Sequence, residues 1–116
     1  MRIHCLGGGL VGSFVTRKLV EDGFEVHLFD VVNRATPAVF HLKDAASADH
    51  SSADLIVNMV PGSIGHDVLR VLHEQGHNIV DLSFSETTPD QLPAGPGVVL
   101  WDCLLYTSDA ADEGFC

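Results

Sequence analysis

The residues best suited to ligand chemistry are the glycines that follow the first apolar run. Gly7, Gly9 and Gly12 match the pattern G-x-G-x-x-G in the stretch GGGLVG. In such a turn the first glycine allows a tight bend and the second lets a pyrophosphate approach the backbone, while the third lets the following helix pack on its strand. The free amides of that helix N-terminus favour an anion. The spacing therefore predicts a phosphate-binding turn.

An acidic residue lies at the distance that this turn requires. Asp30 ends a second apolar run and is placed to accept hydrogen bonds from a ribose 2′-hydroxyl. A carboxylate repels a 2′-phosphate, so Asp30 favours NAD over NADP as the cofactor. Arg34 keeps the alternative open, because it could bind a phosphate if the loop folds back, or lie in solvent as an ordinary surface residue.

The elements around these residues form a β-α-β unit. Residues 2–6 read as a strand, and residues 24–29 as a second strand that stops at Asp30. Between them, apolar residues at helical spacing predict an amphipathic helix that ends near Gly23. The predicted apolar stripe is Val11, Phe14, Val15 and Leu19. A helical crossover makes the two strands parallel.

The second half repeats this organisation. Residues 55–60 read as a strand, and Ser63 is predicted to cap a helix of about a dozen residues that ends at Gly76. Its predicted apolar face is Ile64, Val68 and Leu72. Residues 78–82 and 98–101 read as two further strands. The pattern predicts an α/β fold, a Rossmann-like doubly wound parallel sheet that is truncated.

The truncation falls between Asp30 and Asp54. Residues 31–53 are too few for the helix, strand and helix that such a fold places there. Residues 38–42 read as a short third strand, with a helix start after Thr36-Pro37 as the alternative. With fewer covering helices, apolar strand faces stay partly exposed, so we expect a marginally stable chain that tends to self-associate, with a homo-oligomer as one form of that association.

Composition narrows the classes of partner. The chain has 116 residues and a formal charge of −10, which disfavours nucleic acid. No apolar stretch is long enough for a membrane span, so no membrane partner is expected. Cys5, Cys103 and Cys116 show no metal spacing, which suits a reducing cytoplasm, and Cys5 reads as a core residue.

The turn Val60-Pro61-Gly62-Ser63 follows the strand that should lie beside the first strand across the switch point of the sheet. Ligands of doubly wound sheets bind outside the carboxyl ends of the strands at that point. The turn is therefore expected near the ribose and nicotinamide end of a bound dinucleotide, with a plain strand-to-helix connection as the alternative.

The stretch VPGSIGHDVLRVLHEQGHNIVDLSF resembles the saccharopine dehydrogenase family, including its lysine 6-dehydrogenase-like members. Members have a strand that ends in a VPG-type turn, then a helix, then a strand reading V-D-x-S-F. The resemblance implies a Rossmann domain that binds NAD or NADP, in enzymes that oxidise or form a C–N bond at an amino-acid carbon.

The resemblance also implies which positions contact the cofactor. They are Gly7, Gly9, Leu10, Val11, Gly12, Asp30, Val60, Pro61, Gly62 and Ser83. The short segment 31–53 departs from the family and puts its adenine-side contacts near Asp44 in doubt. The amino-acid substrate would be held by a further domain, so no residue is predicted to be catalytic, and this chain alone is expected to be catalytically silent.

Seven histidines raise the question of a metal site. No metal-ligand spacing is present, so we predict surface histidines, hydrogen-bonded core histidines and no metal site. His66 is the one placed near the predicted cofactor edge. Asp81 and Asp102, at strand ends, are predicted to cap structure.

The domain division follows from these patterns. Residues 1–102 are predicted to form the partial NAD(P)-binding domain. Residues 103–116, with LLYTSDAADE, resemble a translated sequencing adapter and are expected not to belong to the family, with an acidic tail as the alternative. A rival class is a non-catalytic NAD-sensing domain like those regulating potassium transport, which shares the first β-α-β unit but usually lacks the VPG turn and V-D-x-S-F.

Overall fold

A computed structural model describes residues 1–82 and 99–101, which form six strands and two helices. In chain order the elements are β1 (Arg2–Leu6), α1 (Leu10–Glu21), β2 (Glu25–Asp30), β3 (Val39–Leu42), β4 (Leu55–Asn58), α2 (Gly62–Glu74), β5 (Ile79–Asp81) and β6 (Val99–Trp101). Ser83, Asp102 and residues 103–116 lie outside the described residues.

All strand pairs are parallel, and the strand order is β3-β2-β1-β4-β5-β6. This is the order of a doubly wound sheet with its switch point between β1 and β4. The register places His4 beside His27 on β2 and beside Ile56 on β4. The prediction of a Rossmann-like α/β fold is confirmed.

Two predicted helix ends are confirmed by glycines in the left-handed region. Gly23 has φ of 92° and Gly76 has φ of 87°, each just after the last residue of its helix cap. Because a side chain is strained at positive φ, glycine is the residue that ends a helix there with little cost.

The predicted apolar stripe of α1 is partly wrong. Phe14 is 65% exposed, whereas Gly12 and Thr16 are buried, with Val15 and Leu19 packed at their flanks. Gly12 brings the helix close to β1 and so sets the buried face. Phe14, two residues on, is rotated by about 200° from Gly12 and lies on the opposite side.

The start of α2 also differs from the prediction. The helix begins at Gly62 with Pro61 as its N-cap, so Ser63 lies inside the first turn and is not the cap. The Gly65 amide donates to the Pro61 carbonyl at 3.2 Å. Ile64 is 67% exposed and so departs from the predicted apolar face, while Val68 and Leu72 are buried as predicted.

Two apolar clusters cover opposite faces of the sheet, since successive strand residues point to alternate sides. One packs α1 on the sheet through Ile3, Cys5, Val26, Leu28 and Val57. The other packs α2 on Leu6, Phe29, Ile56 and Ile79. Cys5 is fully buried as a free thiol, which agrees with its predicted core position, and burial raises its pKa to about 11.

The region between Asp30 and Asp54 contains the strand favoured from sequence and no helix. Strand β3 spans Val39–Leu42, and segment 43–54 then returns to β4 through turns and bends. Val39 and Leu42 are more than half exposed on β3, which is the edge strand of the sheet. The expected exposure of apolar strand residues is therefore present at this edge.

Neither of the two helices in the described part of the chain has the length and apolar content needed to cross a membrane.

Candidate functional site

A cavity of about 440 Å³ opens at the carboxyl edge of the sheet, beside the switch point. The residues that follow β1, β2, β4 and β5 contribute to its walls, together with the first turns of both helices. Its volume falls within the range of small-molecule sites, roughly 300–1,000 Å³. The glycine turn, Asp30 and the turn after β4, which the sequence predicted as a site, therefore line one cavity.

Two glycines of the turn are required by the protein itself. Gly7 has φ of 93°, and a Cβ there would lie 2.9 Å from the Met59 carbonyl oxygen. A Cβ on Gly12 would overlap the Gly7 carbonyl oxygen. The Gly7 amide donates to the Phe29 carbonyl at 2.9 Å, which fixes the bend against β2. These glycines shape the turn whether or not a ligand binds.

Gly9 differs from both. It is the N-cap of α1, with φ of −67° and ψ of −160°, which any residue adopts without strain. A Cβ at Gly9 would meet no heavy atom within 4 Å, because the position faces the open cavity. Nothing in the described protein requires a glycine there. Glycine is favoured at an N-cap, and here its absent side chain also leaves space for a group that approaches from the cavity.

Asp30 closes the other side of the turn. Its carboxylate accepts hydrogen bonds from the Gly8 amide at 2.7 Å, from Arg34 Nε at 3.0 Å and from the Val32 amide at 3.1 Å. Burial acts to raise the pKa of this carboxyl, but the two amides and the Arg34 guanidinium outweigh it and lower the pKa. Asp30 is therefore charged at neutral pH.

Arg34 lies in the same wall as Asp30. The two side chains form an ion pair, with 37% of the Arg34 side chain exposed and 11% of that of Asp30. A Cβ on Gly8 would come within 2.8 Å of Arg34 Cγ and 3.0 Å of Asp30 Oδ2. Asp30 and Arg34, which the sequence offered for recognition of a ribose 2′-hydroxyl or a 2′-phosphate, thus lie side by side.

Asn58, which the sequence reasoning missed, organises the turn that follows β4. Its buried side-chain amide donates to the Gly65 carbonyl at 2.8 Å and to Asp81 Oδ1 at 3.1 Å. Its Oδ1 accepts from the Val60 amide at 3.3 Å. Asn58 therefore ties β4 to α2 and β5, and Asp81 serves a structural role as predicted. A polar residue ending an apolar strand was the available signal.

Most of the predicted site residues meet in the cavity wall. They are Gly7, Gly9, Leu10, Val11, Gly12, Asp30, Arg34, Val60 and Pro61. Gly62 begins α2 directly after Pro61, and Ser83 lies outside the described residues. Asp44, whose family role the short segment put in doubt, also lines the cavity.

Several wall residues were not predicted as site residues. They are Gly8, Phe29, Val31, Ala45, Met59, Ile64, Val68 and Leu82. Most are apolar, and Ala45 comes from segment 43–54, whose path a residue pattern without periodicity does not reveal. His66, which the sequence placed near the cofactor edge, is half-buried on α2 and does not line the cavity.

Four of the other histidines, His4, His27, His41 and His50, lie close together around Phe29. His4 and His50 are buried and lie 2.8 Å apart between their Nδ1 atoms, while His27 Nδ1 lies 2.9 Å from His41 Nε2. The prediction of hydrogen-bonded core histidines is confirmed for His4, His27 and His50, whereas His41 is half-buried on the edge strand β3. Within residues 1–82 and 99–101, no group of three or more potential ligand side chains has metal-site geometry.

No protein-family model matches this chain, and a comparison with curated proteins found no significant match. The fold and the cavity are therefore the basis for assigning a function.

Proposed function

We propose that this chain binds a nicotinamide adenine dinucleotide in the cavity, with NAD favoured over NADP. In this proposal it is the cofactor domain of an oxidoreductase that acts on an amino-acid C–N bond, as in saccharopine and lysine dehydrogenases. The observation that carries the proposal is Gly9, whose missing side chain leaves space on the cavity side of the α1 N-terminus.

The turn suits a pyrophosphate for electrostatic reasons. The first amides of an α-helix have no partner within the helix and carry partial positive charge. Arg34 is the sole cationic side chain among the described residues of the wall, and Asp30 already engages it. A diphosphate at Gly9 would therefore be bound mainly through backbone amides, which agrees with a chain of charge −10.

Asp30 is the group proposed to select the ribose. A charged carboxylate accepts hydrogen bonds from the 2′- and 3′-hydroxyls of NAD and repels the 2′-phosphate of NADP. The Arg34 guanidinium at 3.0 Å would instead favour that phosphate if it turned away from Asp30. The fixed amide bonds to Asp30 support the carboxylate as the group that faces the sugar.

The apolar end of the cavity would take the nicotinamide. Met59, Val60, Pro61 and Ile64 line it between β4 and α2. The nicotinamide supplies hydride transfer when bound, and these side chains would exclude water and orient the ring. The amino-acid substrate would be held by a further domain, so we expect no turnover of lysine or saccharopine by this chain alone. The free thiol of Cys5 supports a proposed cytoplasmic location.

A titration of NADH fluorescence tests the proposal. The wild-type chain should bind NADH, and Gly9→Val should lose at least tenfold in affinity, because its side chain would occupy the pyrophosphate position. Ala35→Val adds similar bulk at an exposed position outside the cavity wall and should bind as the wild type does. Equal binding by Gly9→Val and the wild type would refute the assignment.

A further inference from the structure

The histidine network, defined as His4, His27, His41 and His50, takes no part in the proposed cofactor site. It joins β1, β2 and β3 to segment 43–54 on the face of the sheet that no helix covers there. Phe29 lies among these rings, stacked on His41 at 4.5 Å and edge-on to His50 at 4.9 Å between ring centroids. The network lies beside the apolar cluster of this face, to which Ala45 belongs and against which Ala53 of the segment packs.

The hydrogen-bond partners fix one proton position in His50 and His4. His50 Nε2 lies 2.7 Å from the Ala45 carbonyl oxygen, which can only accept, so this nitrogen carries a proton. Neutral His50 therefore accepts at Nδ1, and His4 must donate to it from its own Nδ1 across 2.8 Å. His4 Nε2 then accepts from Arg2 Nε at 3.3 Å. Each step requires a neutral ring.

The same reasoning applies to the second pair. Glu25 Oε2 lies 3.3 Å from His27 Nε2, so that nitrogen donates to the carboxylate. Neutral His27 then accepts at Nδ1 from His41 Nε2 at 2.9 Å. Arg2 Nε lies 3.3 Å from the same Glu25 oxygen and connects the two pairs. The network is therefore one ordered set of donors and acceptors.

Adding a proton breaks this order. A proton on His50 Nδ1 would face the N–H of His4, and a proton on His4 Nε2 would face the N–H of Arg2. Two donors that face each other lose their hydrogen bond, and the new charge lies in a buried site. Other charged or titratable groups near the network are Glu25, Lys43, Asp49 and His77.

We propose that the histidine network is a proton-sensitive latch that pins segment 43–54 to the sheet at neutral pH and releases it in mild acid. His50 is the contact of the segment with the network, and its bond to Ala45 fixes a residue of the cavity wall. Release would therefore also open the cavity. The latch itself does not depend on the identity of the cavity ligand.

The titration behaviour of the buried rings has the sign that a latch requires. Burial, then the neighbouring His50 and Arg2, lower the pKa of His4 from 6.5 to about 4. Burial and then His77 lower the pKa of His50, although the Ala45 carbonyl and Asp49 act in the opposite direction. Burial and then His27 lower the pKa of His41. The closed state thus resists protonation that the released state accepts.

Amide hydrogen exchange on the whole chain tests the release. The probes are the amides of Ala48, Ala53 and Asp54, which donate to Asp44, His50 and Arg2. After correction for intrinsic exchange, their opening should rise about tenfold or more per pH unit between pH 6 and pH 5, because opening takes up at least one proton. Amides of the α1 interior open only with the whole chain, so they should stay better protected than these three amides at every pH.

Two variants separate the latch from general acid sensitivity. His50→Gln can still offer an N–H to the Ala45 carbonyl but takes up no proton. The rise in amide opening per pH unit should therefore be at least threefold smaller in this variant than in the wild type. His66→Gln removes a histidine of α2 that does not contact the network and should keep the wild-type slope. An unchanged slope in His50→Gln, or no slope in the wild type, would overturn the latch.

Nitrogen-15 spectra of the wild-type histidines test the same idea if His50→Gln fails to fold. At pH 7 they should show single neutral tautomers, with the proton on Nδ1 of His4 and on Nε2 of His50. Averaged tautomers, or protonation of His4 already at pH 6, would refute the network. Failure to bind NADH at any pH would instead reject the proposed cofactor and leave the latch standing.

Discussion

Two of the three crossovers between β1 and β4 reach their next strand by different means. Between β1 and β2, helix α1 packs aliphatic side chains on Ile3, Cys5 and Leu28. Between β3 and β4, segment 43–54 has no helix and is held by the histidine network together with small apolar contacts such as that of Ala45. Aliphatic burial does not depend on pH, whereas burial of neutral histidines does, so the two regions should respond differently to the same perturbations.

The largest expected effect breaks the first crossover at its glycine turn. Gly12→Ala would place a methyl group into the Gly7 carbonyl, and both are backbone positions that cannot yield cheaply. We expect a loss of about 3 kcal/mol or more in the free energy of unfolding. Gly9→Ala, three residues away, should change it by less than about 0.5 kcal/mol. Urea unfolding of both variants measures the contrast, and equal losses would contradict the assigned packing.

A second pair of measurements compares how the free energy of unfolding depends on pH for the sheet face under α1 and for the face that carries the histidine network. Ile3→Ala removes a buried side chain from the aliphatic face and should cost about 3 kcal/mol at both pH 7 and pH 5. On the histidine face, lowering the pH from 7 to 5 should itself cost the wild type about 2 kcal/mol through His4 alone.

The sign of the acid effect follows from the pKa of His4. This pKa is lowered from 6.5 to about 4 on folding, so the unfolded chain binds more protons between these values. Stability is therefore complete above about pH 6.5 and is lost as the pH falls toward 4. Unfolding curves at half-unit pH steps measure it. A wild-type stability that is flat from pH 7 to pH 5 would remove the proposed difference between the faces.

The sequence predicted the region from β1 to β2, with its aliphatic packing under α1, better than the region of segment 43–54 and the histidine network. Apolar runs, Gly23 and Gly76 located the elements, and parallel pairing followed from the helical crossover. The burial of Thr16 in place of Phe14 was missed because Gly12 sets the rotation of α1, and that close approach is a tertiary contact.

The histidine region was harder to predict because its contacts are long-range. His4 and His50 are 46 residues apart, and segment 43–54 has no periodic pattern. The signal available was that His4 and His27 occupy paired positions of adjacent strands, which puts them on one face. Likewise, the glycine spacing located the cavity, but the contribution of Ala45 to its wall required the path of the segment.

A smaller effect is expected for the choice between NAD and NADP at the end of the first crossover. Asp30→Asn keeps an oxygen for the Gly8 amide but removes the charge that repels a 2′-phosphate. We expect the ratio of NADP to NAD affinity to rise about tenfold, which is about 1.4 kcal/mol. Arg34→Leu should lower NADP affinity in that background. Preference of the wild type for NADP would make Arg34 the determinant instead.

The smallest effect concerns the edge strand β3, which precedes segment 43–54. Leu42 is 61% exposed on the edge strand β3, and edge strands with apolar side chains promote association. We expect the wild type to self-associate at high concentration. Leu42→Lys should weaken this association about threefold or more and change the free energy of unfolding by less than about 0.5 kcal/mol. Sedimentation at several concentrations measures it, and a monomeric wild type would show that the edge is not an interface.

The most direct test of the proposed function is the stabilisation of the folded chain by NADH. Without ligand, wild type and Gly9→Val should unfold within about 1 kcal/mol of each other, because a Cβ at Gly9 would meet no protein atom within 4 Å and the main cost is a poorer N-cap. With NADH at 100 times the wild-type dissociation constant, the wild type should gain about 2.7 kcal/mol, and Gly9→Val, which binds at least tenfold more weakly, no more than about 1.4 kcal/mol. Equal gains in both proteins, or no gain in the wild type, would contradict a dinucleotide bound at the glycine turn.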